Sequence, residues 1–141
     1  MTGGKLRIFV VEDHPGTARA VETFLRGAGF EVAVATDMTS ALKLARNLSF
    51  DVLLCDLNLP DGTGWDLIAQ LRKRGPVRGI AFSAFDDPDH IARSEAVGFM
   101  EHFVKGSPPQ DLVTAINRVA TAFPPSPPAP QRRVAEEDLS R

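Results

Sequence analysis

Apolar residues in this chain follow two alternating rhythms. Short runs rich in β-branched and aromatic residues fall at Leu6–Val11, Val32–Ala35, Val52–Cys55, Gly79–Phe82 and His102–Val104. Runs such as IFVV and VLL carry no polar alternation, the mark of strands covered on both faces. Between them the apolar residues recur at helical spacing. Pro15 sits well at a first helical turn, Ala18, Val21, Phe24, Leu25 and Ala28 follow, and Gly27 and Gly29 end the segment. Thr39 or Ser40 can cap a second helix through Leu42, Leu44 and Ala45. A third runs through Trp65, Ile68 and Leu71 and stops before Gly75-Pro76. A fourth opens at Asp87-Pro88 and reaches Gly98. A fifth follows Pro108-Pro109, with Leu112, Val113, Ile116, Val119, Ala120 and Phe123 on one face. Trp65 and the phenylalanines read as core residues.

Five strands separated by five helices give a (βα)5 chain of the α/β class. Right-handed crossovers then make a doubly wound, five-stranded parallel sheet. In the flavodoxin-like order 2-1-3-4-5, the switch point lies between strands 1 and 3, and function gathers at the carboxyl ends of the strands.

Composition narrows the classes. With 141 residues, 43% apolar and 24% charged, the chain can bury a core without staples. A net charge of −2 gives no basic field for nucleic acid. A single cysteine, Cys55, excludes a disulfide framework and a multi-cysteine zinc site. His14, His90 and His102 share no metal-ligand spacing. The apolar runs fall far short of the roughly 20 residues that cross a bilayer, and the first residues form no signal-peptide pattern. A cytoplasmic protein without membrane contact is the expectation. Composition changes at residue 124, where PPSPPAP holds five of the eleven prolines and a short charge-mixed stretch follows. The predicted division is a domain at 1–123 and a proline-rich, solvated tail or linker at 124–141.

The predicted strand ends carry unusual company. Strand 1 runs into Glu12-Asp13, strand 3 into Asp56, strand 4 into Ser83 and strand 5 into Lys105. Packed together, three carboxylates repel one another, and a hard divalent cation such as Mg²⁺ relieves that while leaving positions for a phosphoryl oxygen. Asp56 can then act as a nucleophile, Lys105 can neutralise charge on the transferred group, and Ser83 can donate to a phosphoryl oxygen. GTGW at 62–65 is neither a Walker loop nor GxGxxG, so no nucleotide is expected. His14 reads as a neighbour of the acidic pair, not a ligand, and Cys55 as a small buried hydrophobe.

With FVVEDH at 9–14, LLCDLNLPDGTG at 53–64, AFSA at 81–84 and EAVGFMEHFVK at 95–105, the chain resembles the receiver domain of two-component response regulators over residues 5–123. The resemblance, to chemotaxis-regulator-like folds, implies a Mg²⁺-dependent phosphoacceptor that is not itself an enzyme. It implies Asp56 as the phosphorylation site, served by a histidine kinase or histidine phosphotransfer protein. It implies Glu12, Asp13 and Asp56 as metal ligands, with Asn58 giving its backbone carbonyl. Ser83 matches the switch hydroxyl, Lys105 the family's lysine and Phe103 the switch aromatic. Pro60 and Gly62 match the turn after the acceptor. Phe85, two residues beyond Ser83, falls where family members gate water at the acyl phosphate. One departure is Gly106, where the family commonly has proline after the lysine; the isomer of that peptide is left open.

The implied output is a protein-interaction surface made of helix 4, strand 5 and helix 5, coupled through Ser83 and Phe103 and suited to a downstream protein or a homodimer. Eighteen residues after Phe123 are too few for a DNA-binding domain, so no direct nucleic-acid contact is expected. A stand-alone regulator, a phosphorelay intermediate and a receiver excised from a hybrid histidine kinase all fit. A Mg²⁺-dependent aspartyl-phosphate phosphatase is the alternative chemistry, although it wants an aspartate where Asn58 stands. A phosphate-independent interaction module is the third class.

Overall fold

The computed structural model describes residues 5–126. Five parallel strands, β1 (Arg7–Val11), β2 (Glu31–Ala35), β3 (Val52–Asp56), β4 (Gly79–Ser83) and β5 (Glu101–Val104), form one sheet in the order β2-β1-β3-β4-β5. Each strand is followed by a helix: α1 (Pro15–Gly27), α2 (Met38–Ala45), α3 (Gly64–Arg72), α4 (Pro88–Val97) and α5 (Pro109–Thr121). This is the expected doubly wound, flavodoxin-like sheet. The expectation for the proline-rich tail lies, from residue 127 onward, outside the described residues.

Strand pleating divides the core in two. On one face Ile8, Val10, Leu54, Ile80 and Phe82 pack under α1 and α5, meeting Leu25, Leu112 and Ile116. On the other, Phe9, Val11, Leu53, Cys55 and Ala81 pack under α2 and α3, meeting Ala41, Leu67 and Ile68. The central strands β3 and β4 are buried at every residue, as their unbroken apolar runs require. Each wholly buried Leu, Ile or Phe contributes about 1.5–3 kcal/mol from removal of its surface from water.

Three local readings change. The cap of α2 is Asp37, whose carboxylate accepts the Ser40 N–H at 2.7 Å, and not Thr39 or Ser40. Thr39 is instead bound through its hydroxyl to Asp61. Phe123 lies beyond the end of α5 and is 95% exposed, and Phe85 in the β4–α4 loop is 51% exposed, so neither belongs to the core. A two-residue antiparallel ribbon, Asn58–Leu59 against Gly62–Thr63, intervenes between β3 and α3.

Candidate functional site

Strands β1 and β3 are neighbours, while α1 and α3, the helices that follow them, pack on opposite faces of the sheet. The connections therefore diverge above β1 and β3 and leave a crevice at their carboxyl ends. Glu12, just past β1, is held there by its N–H to the Ala35 carbonyl at 3.0 Å. Its side chain is wholly buried, and Oε2 accepts the His14 N–H at 3.0 Å. Asp56, the last residue of β3, is buried; Oδ1 accepts the Asn58 N–H at 3.0 Å and Oδ2 the Lys105 ammonium at 3.1 Å. Lys105 Nζ also lies 2.7 Å from Glu12 Oε1. That contact is an ion pair without hydrogen-bond alignment, so Oε1 is a buried acceptor with no hydrogen-bonded partner. Asp13 is exposed at the mouth, and carboxylate oxygens of Glu12, Asp13 and Asp56 lie within 4.8 Å of one another. A buried carboxylate oxygen whose one neighbour is the Lys105 ammonium, beside two other carboxylates, is a donor set that fits a hard divalent cation.

Electrostatics follow from burial. Desolvation pushes the Asp56 carboxyl above its ordinary pKa, and the Glu12 charge adds to this. The Asn58 N–H and Lys105 pull it back without cancelling the rise. Burial alone would lower the Lys105 pKa, but its contacts with Glu12 and Asp56 outweigh that and hold the ammonium charged. Burial raises the Cys55 thiol, helped by Asp56 and Glu12, so it stays protonated and donates to the Asp56 carbonyl at 3.2 Å. His14 faces away from ligation: its ring caps α1, with Nδ1 accepting the Thr17 N–H at 3.2 Å.

Ser83, at the end of β4, is buried, and its Oγ accepts the Phe85 N–H at 3.0 Å. The hydroxyl proton remains free to donate. The Ser83 carbonyl accepts the Lys105 N–H at 2.7 Å and so fixes the lysine's backbone next to the crevice. The Lys105–Gly106 peptide is trans, and the chain turns through Gly106 at φ +91°.

Phe103 is placed differently from the sequence reading. It pairs across the sheet with Phe82 and stacks on it at 6.2 Å, on the α1–α5 face. Ser83 and Ala81 point to the opposite face, so Phe103 cannot enter space that Ser83 vacates. Neighbouring strand residues alternate faces, and the β5 residues on Ser83's side are His102, paired with Ala81, and Val104, paired with Ser83 itself. His102 Nε2 lies 2.5 Å from the Phe85 carbonyl. A path of hydrogen bonds therefore runs from Ser83 Oγ through the Phe85 peptide to the His102 ring. Sequence reasoning missed His102 because a shift of one residue in a strand reverses the face.

Two further residues shape the loop after Asp56. Asp61 accepts the Thr39 hydroxyl at 2.7 Å and the N–H groups of Met38 at 2.7 Å and Thr39 at 2.9 Å, which together hold its carboxyl below the ordinary range and tie the ribbon to the start of α2. The Asp-Gly pair at 61–62 signals a turn, but nothing local reveals a partner 23 residues away. Gly64 opens α3 directly beneath the acceptor, where a Cβ would lie 2.4 Å from the Asp56 carbonyl oxygen.

The response regulator receiver domain model matches residues 8–117. The chain belongs to that family. It is 34% identical over 110 residues to the DNA-binding response regulator MtrA of Mycolicibacterium smegmatis, covering 78% of this chain and 48% of that one. The receiver thus spans about half the length of the curated relatives it matches first, and their DNA-binding name describes those longer proteins. Among solved structures, the chemotaxis protein CheY4 of Vibrio cholerae superposes with a TM-score of 0.79 at 27% identity, covering 82% of this chain and 99% of that one. A response regulator of Chloroflexus aurantiacus gives 0.79 at 26%, covering 84% and 100%. The chain is accordingly a receiver domain of two-component signalling. Among the described residues, no helix is long and apolar enough to cross a membrane.

Proposed function

We propose that Asp56 accepts a phosphoryl group from the phosphohistidine of a histidine kinase or histidine phosphotransfer protein. A carboxylate oxygen of Asp56 bonds to phosphorus as the phosphorus–nitrogen bond breaks, and the electron pair leaves with the imidazole. The observation that carries this reading is the buried Asp56 joined to buried Glu12 by one lysine, with the Asp13 carboxylate beside them at the mouth. Glu12, Asp13 and Asp56, with the Asn58 backbone carbonyl, are the residues to hold Mg²⁺, which neutralises phosphoryl oxygens when bound. Lys105 supplies positive charge at the same point. Ser83 donates its free hydroxyl proton to a phosphoryl oxygen. Phosphotransfer and slow loss of the group are the only chemistry assigned, and the setting is cytoplasmic.

The signal leaves through His102 and not through Phe103. When the Ser83 hydroxyl turns to the phosphoryl group, its bond to Phe85 N–H is perturbed, and with it the Phe85 carbonyl held by His102. The surface that changes is α4, β5 and α5, offered to a downstream protein or a second copy; the receiver itself makes no nucleic-acid contact.

Incubation with acetyl phosphate and Mg²⁺ tests this. One acid-stable, base-labile phosphoryl group per chain, absent from Asp56→Asn, is expected. Many turnovers would make the chain a phosphatase, and no label would leave only an interaction module.

A further inference from the structure

The helix C-termini and strand N-termini lie at the end of the sheet opposite Asp56, and two arginines there have no part in phosphotransfer. Arg78 directly precedes β4, and its Nε donates to the Ala122 carbonyl at 3.0 Å. Arg72 ends α3 and holds two backbone carbonyls at once. One Nη donates to Val97, the last residue of α4, at 2.8 Å, and the other to Ser126. Its guanidinium lies against Gly98, where φ is +115° and a Cβ would lie 2.3 Å from Nη1. Any side chain at that position would displace the arginine.

The segment between these two points is Ala122-Phe123-Pro124-Pro125-Ser126. The two carbonyls held are those of Ala122 and Ser126, one on each side of the proline pair, and a carbonyl only accepts. Arginine is the complement, with donors only, in a rigid fork. Both prolines are half-buried, while Phe123 between the contacts is exposed.

We propose that Arg78 and Arg72 form a two-point seat for the segment after α5, and that Arg72 makes the exit of the chain depend on the position of α4. The occupant is this chain's own residues 122–126. One guanidinium bridges the C-terminus of α4 and the strap, so neither moves without altering the other's hydrogen bond. The seat stands whether or not Asp56 carries phosphate. If α4 shifts on phosphorylation, as proposed above, the hold on residues 122–126 becomes a second output.

Two measurements on the full-length chain test this. In ¹⁵N-labelled protein, the heteronuclear NOE at Phe123 and Ser126 is expected to match that of α5. It should fall toward free-chain values in Arg78→Lys and Arg72→Met, while the amides of β1 and β3 keep their shifts. Lysine retains the charge and loses the fork, so the first variant isolates geometry. Second, Pro124→Gly with Pro125→Gly loosens the strap without touching either arginine. The Gly98 and Phe99 amides should then exchange about fivefold faster, the worth of one ordinary hydrogen bond. Unchanged order in both arginine variants would overturn the seat. Unchanged exchange at Gly98 and Phe99 would overturn the link to α4. Order at Ser126 that rises with protein concentration would overturn the intrachain assignment and give the seat to a second copy.

Discussion

The two ends of the sheet handle charge in opposite ways. At the amino end each named arginine rests on acceptors already in place. Arg7 meets Glu31 at 2.9 Å with both side chains nearly half exposed, and also donates to the Ser49 carbonyl. Arg72 and Arg78 rest on backbone carbonyls. At the carboxyl end three carboxylates face one ammonium, and the carboxylate of Glu12 is wholly withdrawn from water. The first arrangement is met by those acceptors except at the buried Arg72 Nε, and its exposed pair is individually weak. The second is held against its own repulsion by the packing beneath it, and a cation or a phosphoryl group can release that cost. The charge that function uses is therefore confined to one end of the sheet.

The strongest way to break this contrast is Asp56→Asn. Phosphoryl label should vanish entirely. Stability should move the other way. Burial raises the Asp56 pKa, so the folded state disfavours its ionised form. Its contribution is full below the ordinary carboxylate pKa and is lost as pH rises through the raised value. The amide should therefore raise the unfolding midpoint at pH 7 and leave it nearly unchanged near pH 3. Equal midpoints at both pH values would show that the carboxyl end carries no strain.

Next in size is Phe103→Ala. It removes a half-buried ring stacked on Phe82 and should cost about 2 kcal/mol in denaturant unfolding. Because the ring faces α1 and α5, the change in amide exchange over 86–118 on binding a phosphoryl mimic should survive. His102→Ala should show the reverse, a small stability change with that response weakened. If Phe103→Ala silences the response and His102→Ala does not, the path through Phe85 is wrong.

Asp13→Asn should weaken Mg²⁺ binding about tenfold in a fluorescence titration of Trp65, since the cation loses a charged ligand. The smallest effect belongs to the amino end. Glu31→Gln should change stability by less than about 0.5 kcal/mol, because the pair it breaks is exposed. A larger loss there would erase the distinction between the two ends.

Much of this was legible in the sequence, for reasons that also explain the misses. Asp56, Ser83 and Lys105 each follow an apolar run, and the end of such a run is where a parallel strand delivers its last residue to the crevice. The fold class followed from the same five runs. Glu12 was visible as an acid after β1, but its full burial was not, because burial depends on neighbours such as Ala35 and His14 that only the fold brings close. Phe103 was misplaced because sequence fixes an aromatic's position and not the phase of its strand. His102 appeared as a lone histidine without a partner, since the Phe85 carbonyl is 17 residues away. Asp37 capped α2 in place of its two neighbours because Asp61 engages Thr39 from across the crevice. Each miss involves a long-range contact or a one-residue register.

Gly64 sets the mechanical tolerance of the acceptor. With a Cβ position 2.4 Å from the Asp56 carbonyl oxygen, the first turn of α3 lies against β3 with only backbone between them. No rotamer hop, protonation or counterion can lengthen or shorten that spacer. The Asp56 backbone is mounted like a part on a machined stop, while the charges around its side chain come and go. Salt and pH can then retune the charges of the crevice without moving the backbone from which the Asp56 side chain projects.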